Sequence, residues 1–340
     1  MELVRGIPRP EANVTYPVLA VGNFDGVHLG HQAILKRVVQ RAKEIRGTAI
    51  AMTFDPHPVK VLFPDRPLYL LTSLQQKVGF MEALGVDRLL CIPFTLKFSE
   101  QKPTEFIEKI LHQTVRAREV YIGRNFAFGY GREGTAEDLK NMGQSLGMAV
   151  SIIEPVLVNG TIVSSSRIRK HLLEGEVADA ARLLGRPYEL EGTVIHGDRR
   201  GRLLGFPTAN LKPPQELIPK AGVYVVQVFK GSDRSPMDPL AAVAYIGSRP
   251  TFNPARKEEE SSVSGTGLQR DQTIEVHLFQ YDEELYQQWL RVAFLQRVRD
   301  EMVFASPEEL SHQIKKDVDR AHAIHEEIAR AGRFKTSPSD

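Results

Sequence analysis

His28 and His31 lie three residues apart in V-L-A-V-G-N-F-D-G-V-H-L-G-H-Q, residues 18–32. If a helix begins there, that spacing puts both imidazoles on one side of its start, where they could serve one anion. Donors without a neighbouring base suit adenylyl transfer. In that reaction an already anionic nucleophile attacks phosphorus, and the protein has only to position groups and stabilise equatorial charge. A second set of polar residues occurs much later. Thr208 and Asn210 alternate in G-F-P-T-A-N-L, and in extended chain their oxygens face the same way, toward one Mg²⁺ ion bridging phosphates. Glu275 follows in T-I-E-V-H-L-F, on the face that also carries His277 and Phe279.

The surrounding chain must supply the scaffold. The apolar run 18–21 stops at Gly22, and an amphipathic segment carrying Ile34, Leu35, Val38 and Val39 begins near His28, which predicts a strand, a loop and a helix. The first turn of such a helix leaves backbone N–H groups unpaired, and its dipole adds positive charge, so phosphates are favoured there. On the histidines alone, an ordinary helix start and a pair of metal ligands remain open alternatives. Further strand-length runs fall at 48–54, 88–92, 119–122 and 149–153, separated by helical patterns near 74–84, 104–111 and 136–146. This alternation predicts a parallel α/β sheet with ligands beyond the carboxyl ends of its strands. Asp55 and His57 of D-P-H-P follow one such end, and Asn125 of G-R-N-F-A-F-G follows another. In V-S-S-S-R-I-R-K, residues 163–170, a serine can cap a helix that projects Arg167 and Arg169 near its start.

Near residue 186 the pattern changes. Short alternating segments at 188–195, 223–229, 242–246 and 273–279, set between Gly- and Pro-rich turns, predict an antiparallel barrel. Gly201 and Gly205, just ahead of Thr208, would let backbone approach phosphates. Residues 285–298 read as helical, S-P-E-E at 306–309 starts a capped helix reaching about residue 331, and the tail 333–340 reads as disordered. The expected domains are 1–186, 187–332 and that tail.

The chain has 340 residues, ample for two cores, with 42% hydrophobic and 25% charged residues and a formal net charge of +2. A near-balanced charge implies no nucleic-acid partner but allows small anionic substrates. Cys91 is the single cysteine, so an intrachain disulfide and C-x-x-C chemistry are excluded. No segment approaches the roughly eighteen apolar residues of a membrane span. A soluble cytoplasmic protein is expected.

G-N-F-D-G-V-H-L-G-H-Q resembles the H-x-G-H nucleotidyltransferase signature, and in this extended form it is similar to the bacterial bifunctional riboflavin kinase/FMN adenylyltransferases. S-S-S-R-I-R resembles that family's S-S-T-R-I-R, G-F-P-T-A-N-L its flavokinase signature, and Y-I-G-S-R-P-T-F, residues 245–252, also recurs there. The resemblance runs from about residue 18 to about 317. It implies a Rossmann-like α/β nucleotidyltransferase domain followed by an antiparallel β-barrel flavokinase domain with a C-terminal helix. It further implies riboflavin, FMN and ATP as substrates, with Mg²⁺. His28 and His31 would be catalytic, and Gly22, Asn23, Phe24, Ser164, Ser165 and Arg167 would bind the nucleotide, as would Gly201, Gly205, Thr208 and Asn210 in the second domain. Thr208 and Asn210 would hold the metal. Phe54, Asp55, His57, Asn125 and Arg299 would bind flavin, and Glu275 matches the proposed base.

This chain departs from the family pattern in four places. Asn125 stands where many members have Asp, and Ser166 where they have Thr. A polar insert fills residues 254–272, and Gln280 and Gln287 occupy positions where Asp or Asn and then Gly are usual. Two rivals predict something else. An aminoacyl-tRNA synthetase would need a basic tRNA-binding surface, and a non-catalytic flavin sensor would not need Thr208, Asn210, Glu275 and both histidines together.

Overall fold

The computed structural model describes residues 1–7, 14–196, 205–214, 217–231, 238–248, 272–281 and 283–330. Gly201, most of the insert and the tail 333–340 lie outside them. The chain divides into two compact units, Met1–Ser165 and Ser166–Asp340.

In the first unit β1 (Glu2–Arg5), β2 (Pro17–Val21), β3 (Thr48–Asp55), β4 (Arg88–Pro93), β5 (Glu119–Gly123) and β6 (Ala149–Ile153) form one sheet in the order β1-β4-β3-β2-β5-β6. Every pairing is parallel. Strand β2 shows why one short run can organise a sheet. Val18 and Ala20 face α1 (Leu29–Ile45), packing with Leu35, Val38 and Ala42, while Leu19 and Val21 face the opposite layer with Ile107, Leu111 and Leu139. Helices α2 (Pro58–Leu62), α3 (Leu74–Ala83), α4 (Leu96–Ser99), α5 (Pro103–Glu105) and α6 (Ala136–Ser145) complete the layers. Beyond α5 the chain widens into a π-type helix, Phe106–Thr114, still burying Phe106, Ile107, Ile110 and Leu111. Strand order reverses at β2, so a crevice is expected beyond the carboxyl ends of β2 and β5. The loop after Val21 and the Asn125 segment begin there. The hairpin β7 (Leu157–Val158) and β8 (Thr161–Ile162) ends the unit.

In the second unit α7 (Ser165–Glu174), which starts at the division, and α8 (Val177–Leu184) precede a closed barrel. Its strands are β9 (Tyr188–Ile195), β10 (Ala209–Lys212), β11 (Gly222–Lys230), β12 (Leu240–Ser248), β13 (Gln272–Leu278) and β14 (Trp289–Arg299), in the order β10-β13-β12-β11-β14-β9. The antiparallel pairing of β9 with β10 closes it. Val223 and Val225 face outward onto Ala321 and Ile324 of the C-terminal helix α9 (Pro307–Arg330), whereas Tyr224 alternates with them and meets Phe294 edge-on, ring centroids 5.3 Å apart. Arg299 fixes α9 with a forked pair to Asp317: Nε lies 2.9 and 3.0 Å from the two carboxylate oxygens, and a terminal nitrogen 2.7 Å from Oδ2.

One expectation is overturned. Residues 285–298 do not form a helix, because most of them belong to β14, which pairs with both β9 and β11. Leu290 through Leu295 are all buried, and an apolar run buried on both faces satisfies a helical period as readily as an alternating one. The other expected elements agree with the structure, while β1, the β7–β8 hairpin and the π-type helix add to them.

Two candidate active sites

The loop between β2 and α1 is tightly held. Phe24, Gly26 and Val27 have φ of 48°, 84° and 41°, a left-handed region that a β-branched residue such as Val27 rarely adopts and that needs support from its surroundings. That support comes from three directions. The carboxylate of Asp25, 3% exposed, accepts from the Leu71 N–H at 3.0 Å and the Thr72 N–H at 3.3 Å. The Thr72 hydroxyl in turn accepts from the Gly26 N–H at 3.1 Å. The Asn23 carbonyl accepts from the Lys77 ammonium at 2.8 Å and the Thr53 hydroxyl at 3.0 Å. The Asp25 carbonyl accepts from the Ser165 hydroxyl at 2.9 Å.

His28 caps α1. Its Nδ1 accepts the His31 N–H at 3.3 Å, so the ring's proton is on Nε2 when it is neutral. The two rings stack with centroids 3.6 Å apart and planes inclined by 16°. Gly30 explains the glycine of H-x-G-H, since a Cβ there would come within 3.1 Å of the His28 ring. His31 also meets Phe24 edge-on. Burial, then the His28 ring and the Lys77 ammonium, push its imidazole well below its ordinary pKa. His31 is therefore a neutral donor at neutral pH. Its buried Nδ1 has no hydrogen-bond partner, which favours placing the single proton on Nε2.

The other residues expected to bind FMN or the first nucleotide lie mostly at the carboxyl ends of β2, β3 and β5. Phe54, half-buried, is the penultimate residue of β3 and opens a chain of phenylalanine rings through Phe94 and Phe98 to Phe106, Phe128 and Phe126. Exposed Asp55 follows it, and His57 caps α2 through Nδ1, 3.2 Å from the Val59 N–H. Asn125 is exposed beyond β5. Gly22 and Asn23 are partly exposed at the end of β2. Phe24, by contrast, is fully buried, which leaves neither its side chain nor its backbone accessible to a nucleotide and gives it a part in shaping the loop. Ser164 is half-buried, Ser165 braces the loop, and Arg167 is exposed in the first turn of α7.

In the barrel, Asn210 stands directly opposite Glu275 across the β10–β13 pairing, and Tyr245 stands opposite Glu275 on the other side, across β12–β13. The Thr208 hydroxyl donates to Glu275 Oε2 at 3.2 Å. The start of β10 is tied down by His277, whose Nδ1–H donates to the Pro207 carbonyl at 2.8 Å. Tyr245 donates to Glu301 at 2.6 Å, and burial and that carboxylate raise its pKa. Its hydroxyl would lie 2.0 Å from a Cβ at Gly247, so glycine is required there. Gly205 is exposed with φ of 85°. Arg299 forks onto Asp317 and is also among the charges that act on Tyr245.

Sequence reasoning misses Asp25, Thr53 and Lys77. Their one local signal is a charge or hydroxyl inside an apolar pattern. Lys77 in particular lies four residues before the buried Met81, on the core side of α3.

Residues 11–167 match the FAD synthetase family and residues 184–325 the riboflavin kinase family. The bifunctional riboflavin kinase/FMN adenylyltransferase of Escherichia coli (strain K12) is 34% identical over 318 residues, 93% of this chain and 96% of that protein. That of Pseudomonas fluorescens is 36% identical over 325 residues, 95% and 98% of the two chains. A crystal structure titled as a macrolide-efflux protein from Streptococcus pneumoniae is 28% identical and superposes with a TM-score of 0.79, covering 95% of this chain and 99% of that one. Among the described residues no helix is long and apolar enough to cross a membrane. With full-length relatives above 30% identity and both halves matched in order, this chain belongs to the family of bifunctional riboflavin kinase/FMN adenylyltransferases.

Proposed function

We propose that residues 187–332 phosphorylate riboflavin with ATP to give FMN, and that residues 1–186 transfer the AMP of a second ATP to FMN, giving FAD and pyrophosphate. The observation that carries this division is the state of the carboxylates. Asp25, in the histidine loop, is saturated by the Leu71 and Thr72 amides and buried, so it is not available as a base. Glu275 is half-exposed and oriented by Thr208 through one oxygen. Riboflavin offers a neutral primary alcohol whose proton must leave, and Glu275 accepts it as the alcohol oxygen attacks the γ-phosphorus of ATP and ADP departs. The FMN phosphate is already ionised. It attacks the α-phosphorus of ATP while His28 and His31 donate from Nε2 to the charge that develops, and pyrophosphate departs.

Thr208, Asn210 and Glu275 present a hydroxyl, an amide and a carboxylate, a hard oxygen set that fits Mg²⁺ and not a soft metal. Thr208 and Asn210 would hold the ion, which when bound neutralises charge on the ATP phosphates. Gly22 and Asn23, with Ser164, Ser165 and Arg167, would receive the adenylylation nucleotide, and buried Phe24 would shape the loop beneath it. Gly201 and Gly205 would flank the phosphates in the kinase. Phe54, Asp55, His57 and Asn125 would hold FMN, and dependence on ATP argues for a cytoplasmic enzyme.

A chromatographic time course with riboflavin, ATP and Mg²⁺ tests this reading. FMN should appear first and FAD after it. FMN without FAD would remove the assignment of the first unit, and no turnover by folded protein would remove both.

A further inference from the structure

Lys77 is a buried cation to which the chemistry described so far assigns no step of its own. It lies on the core side of α3 and is 8% exposed, where a leucine or methionine would avoid the desolvation of an ammonium. Its Nζ donates to the Asn23 carbonyl at 2.8 Å and to the Thr53 hydroxyl at 3.3 Å, and Thr53 donates to the same carbonyl at 3.0 Å. Two side chains from separate elements thus converge on one peptide oxygen in the phosphate loop.

That oxygen anchors the loop between β2 and α1. The Asn23–Phe24 peptide is trans, so its C=O and N–H point in opposite directions. Holding the carbonyl toward Lys77 and Thr53 turns the Phe24 N–H away from them. Phe24 itself has φ of 48°, a conformation an unanchored chain would leave readily. We propose that Lys77 is a positioning residue for adenylyl transfer, holding the Asn23–Phe24 peptide and, through it, the loop that leads into His28 and His31.

The ammonium has a second consequence at the same place. With His28 it is one of the two charged or titratable neighbours that keep His31 neutral, and Lys77 itself is faced by Asp25, Asp55 and Cys91. Removing it therefore alters His31 as well as the loop, and a side chain that only filled space would alter neither.

This inference rests on the first unit being the adenylyltransferase, and the kinase in the same chain supplies an internal control. In the full-length protein, Lys77→Met keeps the volume and removes the donor. FMN-to-FAD turnover should fall tenfold or more in kcat, with the KM for FMN within twofold and riboflavin phosphorylation unchanged. Thr53→Val, which removes the second donor at nearly constant shape, should lower the same kcat by a smaller factor. The double variant should fall by less than the product of the two, because both act on one carbonyl. The His31 ring resonances should titrate at higher pH in Lys77→Met than in the parent, a readout independent of turnover. A kcat within twofold of the parent in Lys77→Met would overturn the proposal. If Lys77→Met fails to fold, an unchanged kcat in Thr53→Val would overturn it. Parent protein that makes FMN but no FAD would instead refute the function assigned to the first unit, leaving the His31 titration to decide whether Lys77 acts on the loop.

Discussion

The two candidate sites are constructed in different ways. In the first unit the histidines, the loop and the first turn of the helix that presents them come from fifteen consecutive residues, and the distant groups, Asp25's partners Leu71 and Thr72 with Thr53 and Lys77, only brace that stretch. In the barrel no stretch is sufficient. Thr208 and Asn210 come from the start of β10, Glu275 from β13, and the strands between and beside them fix their separation. The chemistry follows the same division. In the proposed function a site of donors serves a nucleophile that is already charged, and a site with an open carboxylate serves an alcohol that is not. If this comparison is right, the two activities should come apart under single substitutions.

The largest separation should come from Glu275→Gln. It preserves shape and removes the base, so FMN formation should fall by about 10²–10⁴-fold, while FAD formation from supplied FMN should remain at the parent rate. Separate assays on one preparation check this, and equal loss of both activities would erase the proposed division. The reciprocal variant is His28→Asn. Asparagine is a good N-cap and can still accept the His31 N–H, so the helix start should survive. Loss of the imidazole donor should cost about 10²–10³-fold in FAD formation, with FMN accumulating from riboflavin. His28→Ala should lose the same activity and about 1 kcal/mol of stability besides.

A remote clamp should matter only to the composite site. Asp317 is 5% exposed and accepts both the Arg299 fork and the Gln313 amide. Asp317→Ala would leave a largely buried guanidinium without its partner, a loss of about 3 kcal/mol. Calorimetry should show the unfolding transition of the barrel unit moving down in temperature while that of the first unit stays in place. Adenylylation of supplied FMN should be unaffected well below both transitions.

The same contrast explains which features are legible in the amino-acid sequence. A strand, loop and helix in unbroken sequence carry their own punctuation, and Gly22, His28 and the apolar positions of α1 announce them locally. The glycine of H-x-G-H has a steric reason, the His28 ring 3.1 Å from where a Cβ at Gly30 would stand, which spacing does not reveal. Lys77 is illegible for a related reason: a lysine within a helix is ordinarily solvated, and only the fold brings this one under Asn23. In the barrel, the alternation of Thr208 and Asn210 predicts a shared face, yet nothing local can place Glu275 opposite Asn210, because register between distant strands is a tertiary property. Strand β14 reads as a helix because covering both of its faces erases the alternation that distinguishes a strand.

The smallest expected effect concerns Gln280 and Gln287, the positions where Asp or Asn and then Gly are usual in the family. Both adopt left-handed backbone, with φ of 52° and 64°. For a residue with a Cβ that conformation is unfavourable by about 1 kcal/mol or more, whereas glycine enters it freely. Gln287 is exposed and its N–H still donates to the Val194 carbonyl at 3.0 Å, a bond that glycine would keep. Gln287→Gly should therefore stabilise the barrel unit by about 1 kcal/mol, less the extra freedom glycine gains in the unfolded chain. The matched change in the other unit has the opposite sign: Gln75 is exposed within α3, where Gln→Gly should destabilise by up to about 1 kcal/mol. Denaturant midpoints resolved for the two units would test both, and a loss of stability in each would mean that the backbone at Gln287 is held by its side chain and not merely tolerated.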